Sequence, residues 1–285
     1  MGHKLNIRKV FRCAGIEYLR WITDSRMIIL AVLIIFNYVL AVSPLQMRAE
    51  QMNKPINVME PFIAVGNSGV ILLILPIVFL ILISEFPRND GNSMFYLYRI
   101  GRYNWLCAQL LCLLLMILSY LFFIAMGAIL PVLINGYIGD NWSLVVTDYA
   151  TTFPRSSATY ELLPENLYYQ IGSVWKAAIC TYSLLVLYLL LLGLLLCLGE
   201  LNHAGKIGIV ASVFLVAAGA ALCSLHSKIM WVLPMSHTVV WLHFTKYFRK
   251  PVIELGWSYL YFGVINIALI ICSFFSIKRY KFGEE

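Results

Sequence analysis

Charge is what this 285-residue chain has least of. Asp, Glu, Lys and Arg make up 12% of it, against about 25% in soluble domains, while 61% is hydrophobic. A soluble globular class is excluded, and an all-α polytopic membrane protein is expected. Its long apolar runs are nearly free of ionisable groups. Lys176 and Lys228 sit near run ends, where they can snorkel. Asn37 and Asn266 are the main polar groups inside runs and read as interhelical hydrogen-bonders. Proton- and ion-coupled carriers place Asp, Glu or His inside the membrane, so a relay of that kind is disfavoured. The seven cysteines form no CxxC and no metal spacing, and none lies in a segment expected outside, which argues against a disulfide framework. No cleavable signal is evident: the first apolar run starts near Met27, behind a basic segment, with no small-residue site after it. The closest approach to a phosphate loop, Gly199 to Ile207, has one residue too many between its glycines and Ile207 where Ser or Thr should hold Mg²⁺. No nucleotide or other cofactor is expected on this chain.

The net charge is +7, but the basic residues flank apolar runs, where they set topology. This is not a nucleic-acid signature. Residues 5–26 segregate on a helical wheel. Val10, Phe11, Ala14, Tyr18, Leu19, Trp21 and Ile22 share one half; Lys9, Arg12, Glu17, Arg20 and Asp24 share the other. That pattern predicts an amphipathic helix in the membrane interface. Six runs long enough to span about 30 Å of hydrocarbon follow, near 27–43, 66–84, 105–133, 171–199, 207–228 and 257–277. Pro76 predicts a kink in the second. Lys and Arg place the N-terminal segment, the 85–104 island and the Lys278–Lys281 tail inside, and the 135–170 loop outside. Both termini are then cytoplasmic. The outer loop reads as a variable connection, with a cap over an exit as the alternative. Residues 229–256 mix Lys246, Arg249 and Lys250 with Trp231, Pro234, Trp241 and Phe244, which suits an outer re-entrant segment better than a free loop.

Between the second and third runs lies the polar island Glu85 to Trp105. It holds a helix of about two turns, near 92–101, with capping residues at Asp90, Asn92 or Ser93 and Gly101 at its end. Met94, Phe95 and Tyr98 share one face. A helix this short needs a surface to lean on. The one weak catalytic signal is Gly66-Asn67-Ser68-Gly69, the Gly-x-Ser-Gly form of rhomboid-type intramembrane proteases, with His226, His237 or His243 as partner. Its plainer reading is a Gly/Ser helix start that permits close packing.

The order of parts resembles the permease subunit of ABC exporters of the type-2 class (the type V exporter fold). At residue level the likeness rests on Glu85, the Asp90-Gly91 turn, the Arg99-Ile100-Gly101-Arg102 step and Pro234. The resemblance implies that the island is a coupling helix docking on a separate cytoplasmic ATP-binding subunit, through Glu85, Asp90, Met94, Phe95, Tyr98, Arg99 and Arg102. Arg12, Arg20 and Trp21 of the N-terminal helix would join that surface. Pro234 and Trp241 would belong to an outer gate. ATP and Mg²⁺ would sit on the partner; a second permease copy or homologue and membrane lipid would complete the assembly. The expected setting is the cytoplasmic membrane of a bacterial cell. The expected cargo is an amphipathic or apolar peptide, antibiotic or lipid-like molecule. The competing readings are an intramembrane serine protease using Ser68 and a non-catalytic receptor or assembly protein.

Overall fold

The computed structural model describes residues 6–88, 99–153, 163–245 and 251–280. The described residues are helical, without a β-sheet; two isolated bridges, Asn57 to Tyr137 and Phe244 to Pro251, are the only extended pairings among them. The long elements are α1 (Ile7–Ile22), α2 (Met27–Asn37), α3 (Ser43–Met52), α4 (Glu60–Asn67), α5 (Gly69–Leu82), α6 (Arg102–Ile129), α7 (Val174–Leu201), α8 (Gly205–Ser224) and α9 (Leu255–Arg279). Five helices are long and apolar enough to cross a membrane: Met27–Met52, Arg102–Val132, Val174–Leu201, Gly205–Ser224 and Leu255–Arg279. The chain is therefore a multi-pass, all-helical protein of membrane type. The run expected as a single span at 66–84 is instead a bent pair. α4 and α5 meet at 78°, and pass the same test only when taken together.

The first long helix continues past the expected end at 43. A π-helical turn, Tyr38–Val42, links α2 to α3. Pro44 explains it: proline has no N–H to give the carbonyl four residues back and crowds that carbonyl, and a wider turn absorbs both defects. In α5, by contrast, the helix runs on through Pro76. The sharp bend falls at Ser68, whose backbone is extended (φ −73°, ψ 126°). Asn67 prepares it by turning its side-chain amide back onto the Ile63 carbonyl at 3.0 Å, a local bond that competes with the helical ladder.

The core is centred on α7. In its most apolar stretch 61% of residues are buried within the chain, against 22% in α8 and α9. α7 is thus the inner leg, and α8 and α9 are outer ones. Ile207, Val210 and Phe214 on α8, and Trp257, Leu260, Val264 and Ile267 on α9, remain exposed, as helices facing lipid or another chain do. Gly193 of α7 lies against the Leu113 side chain of α6, a small residue allowing close approach. Asn266 donates to the Leu187 carbonyl at 3.1 Å, the interhelical bond expected of it. Asn37 is also buried, but among the described residues its amide has no hydrogen-bond partner, contrary to expectation.

α1 runs side by side with α6. The Asn6 N–H donates to Asn104 Oδ1 at 2.8 Å and Tyr18 Oη meets Ser119 Oγ at 2.6 Å. From Asn6 to Tyr18 the chain rises about 18 Å and from Asn104 to Ser119 about 22 Å, so the two axes are nearly parallel. Contrary to the interfacial placement expected from the sequence, α1 runs along the membrane-crossing α6 and not across it. The face packed inward is Val10, Cys13, Ala14, Glu17 and Trp21. Glu17, assigned to the wet half from the wheel, is buried and paired with Arg20 at 3.6 Å. Ile7, Phe11 and Leu19 are exposed instead. The covered face takes Val10, Ala14 and Trp21 from the wheel's apolar half and Glu17 from its wet half; packing on α6 decides which residues are covered.

The bundle has two dissimilar ends. Among the described residues, one carries 82–88, 99–104, the α7–α8 turn and the end of α9. The other carries 53–60, 130–153, 163–173, 225–245 and 251–255, and is rich in aromatic side chains.

Candidate functional site

At the charged end, α1 and the turn after it hold both sides of the island. Trp21, 5% exposed, donates its indole N–H to the Leu82 carbonyl at 3.2 Å. The turn after α1 then supplies ions. Arg26 pairs with Glu85 and donates to Ser84 Oγ at 2.9 Å. Arg88 reaches back to Asp24 at 2.7 Å and to Glu85 at 3.1 Å. At the other side Lys9 Nζ donates to the Arg99 carbonyl at 3.3 Å, beside the Asn6–Asn104 bond. Asn104 also closes onto the Ile100 carbonyl at 2.8 Å. Gly101, at φ 87°, makes the turn into α6 with a backbone shape that only glycine adopts freely. The chain therefore leaves α1's C-terminal end at 82–88 and returns to its N-terminal end at 99–104. With sixteen residues, α1 is a strut about 24 Å long between them.

The ions of this clasp are partly exposed, 33% and 51% for Arg26 and Glu85, 32% and 19% for Arg88 and Asp24. Pairs of that kind contribute about 0–1 kcal/mol each and weaken with salt. The Asp24 carboxyl is held below the usual carboxylate range, first by the Arg26 backbone N–H and then by the Arg26 and Arg88 charges. Next to the clasp opens a cleft of about 610 Å³ lined by Ser84, Glu85, Pro87, Arg88, Glu200 and Lys206. Gly199 and Gly208 let α7 and α8 meet closely behind it. His203 stacks on Tyr280 at 4.8 Å, and Arg102 donates to the Lys278 carbonyl at 2.8 Å. The end of α9 is thereby drawn into the same surface.

Of the residues singled out from sequence, Glu85, Arg20 and Trp21 gather at the clasp or along α1. Arg12 is exposed on α1. Arg99 contributes its carbonyl and Arg102 turns toward α9. Asp90, Met94, Phe95 and Tyr98 lie outside the described residues, as does most of the expected 92–101 helix. The residues that sequence reasoning missed are Asp24 and Arg26. Their signal was spacing: two opposite charges beside a helix end, matched by Glu85 and Arg88 at the island's start.

At the aromatic end, the expected re-entrant segment is a series of short turns: Lys228–Val232, Pro234–Thr238 and Val240–His243. Pro234 opens the middle one, where its missing N–H costs nothing. Trp241 donates its indole N–H to the Asn67 carbonyl at 3.1 Å, at the bend where the helical ladder is interrupted. Asn67 also donates to Thr181 Oγ1 at 3.0 Å, and Tyr182 to the Phe62 carbonyl at 2.6 Å. The 135–170 loop is anchored nearby. Glu60, fully buried, accepts from the Ser143 N–H at 2.5 Å, the Ser143 hydroxyl at 2.7 Å and the Asn57 N–H at 3.3 Å. Asn57 in turn donates to the Gly139 and Asn141 carbonyls. Ser68 has no histidine partner among the described residues. His237 and His243 converge on Ser258 instead, and His226 turns to the Ser224 carbonyl.

Comparison of the chain with protein-family models, with curated proteins and with solved structures returned no match.

Proposed function

We propose that this chain is the membrane-spanning permease subunit of an ATP-driven exporter of the ABC type-2 class. The observation that carries the reading is the clasp. One helix grips both flanks, 82–88 and 99–104, of the stretch that in sequence bears Met94, Phe95 and Tyr98, and α7–α8 and α9 converge on those flanks beside an open cleft. A force applied to that segment has direct mechanical routes into α1, α5, α6 and α9. In this reading the charged end is cytoplasmic and the bent α4–α5 pair is a sixth crossing. The segment docks on a separate ATP-binding subunit, which holds ATP and Mg²⁺. The exposed faces of α8 and α9 meet lipid or a second permease. Cargo is amphipathic or apolar, because the crossing helices offer few charged groups to a hydrophilic solute. ATP-driven closure of the partner subunits then favours one of two arrangements of the permease pair, as differential binding energy must. Pro234 and Trp241 belong to the outer gate, over the bend at Ser68.

The test is purification of the full chain from its native membrane, followed by measurement of ATP hydrolysis and of the co-purifying subunit. An ATPase is expected to remain bound and to lose association when Phe95 and Tyr98 are both replaced by Glu, with the variant still monodisperse. Association that survives this change, or a preparation without ATP hydrolysis, overturns the reading. An activity abolished by Ser68→Ala without any ATPase would favour the protease alternative.

A further inference from the structure

The aromatic end holds a group of titratable side chains that the transport reading does not use. Ser258, on the first turn of α9, is fully buried between two imidazoles. Its Oγ lies 2.8 Å from His237 Nδ1 and 2.7 Å from His243 Nε2. The far nitrogens are also engaged: His237 Nε2 with the Trp231 carbonyl at 2.9 Å, and His243 Nδ1 with the Val239 carbonyl at 3.0 Å. A carbonyl oxygen only accepts. Both far nitrogens must therefore carry hydrogen. Two neutral imidazoles are then acceptors on the side facing Ser258, and the hydroxyl has one hydrogen for two of them. Four contacts at hydrogen-bond distance share three protons, so in the neutral state one nitrogen faces an oxygen lone pair.

We propose that His237, Ser258 and His243 form a site for a single proton, and that its occupancy sets how firmly the 228–245 segment is fastened to α9. One added proton completes the four-bond chain, running from the Trp231 carbonyl through both rings to the Val239 carbonyl. A second has no contact left to fill and meets the charge of the first. The same segment is also held by Trp241 at the bend, on the Asn67 carbonyl, by Asn166 on the Trp241 and Phe244 carbonyls and by Tyr261 on the Val232 carbonyl, so the site governs one attachment among several.

The surroundings oppose and support the proton in identifiable ways. Burial pushes both imidazoles below the ordinary histidine value, His243 to about 4, with the neighbouring His237 charge adding to the effect on His243. Against this, the Tyr261 ring stacks on His237 at 4.2 Å, and Trp231 lies 5.4 and 5.1 Å from the two rings, an aromatic lining that favours a cation. Among the described residues, the titratable and charged groups on the elements packed around are Tyr261, Tyr259 and Glu254 at the start of α9, Cys223 and His226 at the end of α8, Lys228 on the adjoining turn, Lys176, Cys180, Tyr182 and Tyr188 on α7, and Glu165, Tyr168 and Tyr169 on the helix Glu165–Gln170. Among the described residues no carboxylate bonds either imidazole, so the proton answers to outside pH rather than to a fixed counter-ion. Because burial holds the folded values below about 6.5, protonation falls on the acid side of neutrality.

The experiment is ¹⁵N-imidazole NMR of the full chain in lipid nanodiscs, from pH 8 to the lowest pH at which it stays folded. At pH 8 the two histidines are expected in opposite tautomers, His237 as Nε2–H and His243 as Nδ1–H. On acidification they should share one titration that takes up one proton in total. His243→Gln supplies an amide N–H₂ that can fill the missing contact without a proton. In that variant His237 should bind its proton at least about tenfold more weakly, a shift of about one pH unit. Ser258→Ala should uncouple the rings. Identical tautomers, two independent full titrations, no uptake at all, or a His237 titration unmoved by His243→Gln would each overturn the proposal. The tautomer reading needs no variant and stands if a substituted chain fails to fold.

Discussion

The two ends of this bundle are fastened by opposite physics. At the charged end, the turn after α1 and residues 85–88 are joined by partly exposed ions: Asp24, Arg26, Glu85 and Arg88. At the aromatic end, the connections are buried and mostly neutral: Trp241 on Asn67, Tyr182 on Phe62, the two histidines on Ser258, and the enclosed Glu60. Exposed ion pairs are individually weak and exchange readily for water or another charged surface. A buried polar group has no such alternative, and losing its partner costs the full desolvation penalty. The difference teaches which end can change partners. The charged end can open its contacts at small cost, as a docking surface must. The aromatic end can move only if its bonds are replaced in kind.

The largest effect should come from Glu60→Ala. It strands the Ser143 N–H, the Ser143 hydroxyl and the Asn57 N–H in a buried site, each costing about 1–3 kcal/mol. A loss of about 3 kcal/mol or more is expected in denaturation of the purified chain in detergent, with Glu60→Gln in between. A cost no greater than that of the clasp variants would break the comparison. Trp241→Phe should be smaller, about 1 kcal/mol, because it keeps the ring and removes one bond to the Asn67 carbonyl. A faster hydrogen exchange across 67–69 would show that the loss falls at the bend. The smallest effect belongs to Arg88→Ala: under about 1 kcal/mol at low salt and close to nothing at 1 M salt. The sign with pH is set by Asp24. Its folded value is depressed, so its contribution is fully present above the ordinary carboxylate range and lost as pH falls through the folded value. Stability that is independent of salt in wild type would refute the ionic account of the clasp.

Much of the helix inventory was legible. Runs of 20 or more apolar residues can be satisfied in lipid only as helices, and α6, α7, α8 and α9 lie within a few residues of the expected runs. The bend was less legible. Pro76 drew attention in sequence, yet the chain breaks at Ser68, where Asn67 turns onto the Ile63 carbonyl and Trp241, 174 residues away, takes the Asn67 carbonyl. Glu17 was misassigned for a related reason: a wheel shows which residues share a face, but the neighbour decides which face is covered. The charged site was half legible. Glu85 and Trp21 stood out by position, whereas Asp24 and Arg26 acquire meaning only when α1 is laid along α6. Of the His237–Ser258–His243 group the two histidines were named in sequence, as partners for Ser68, but Ser258 was not, since no helical spacing joins three residues on three different elements.

Composition and hydropathy alone determined the solvent of this protein and, with it, the helical class, because lipid leaves backbone polar groups no other partner. They also led to the expectation that the apolar runs carry no Asp, Glu or His relay. Tertiary structure decided the rest: where the second long run bends, which face of α1 is covered, and which distant side chains meet at each end. Those outcomes depend on contacts between residues remote in sequence, and such contacts exist only once the helices have packed.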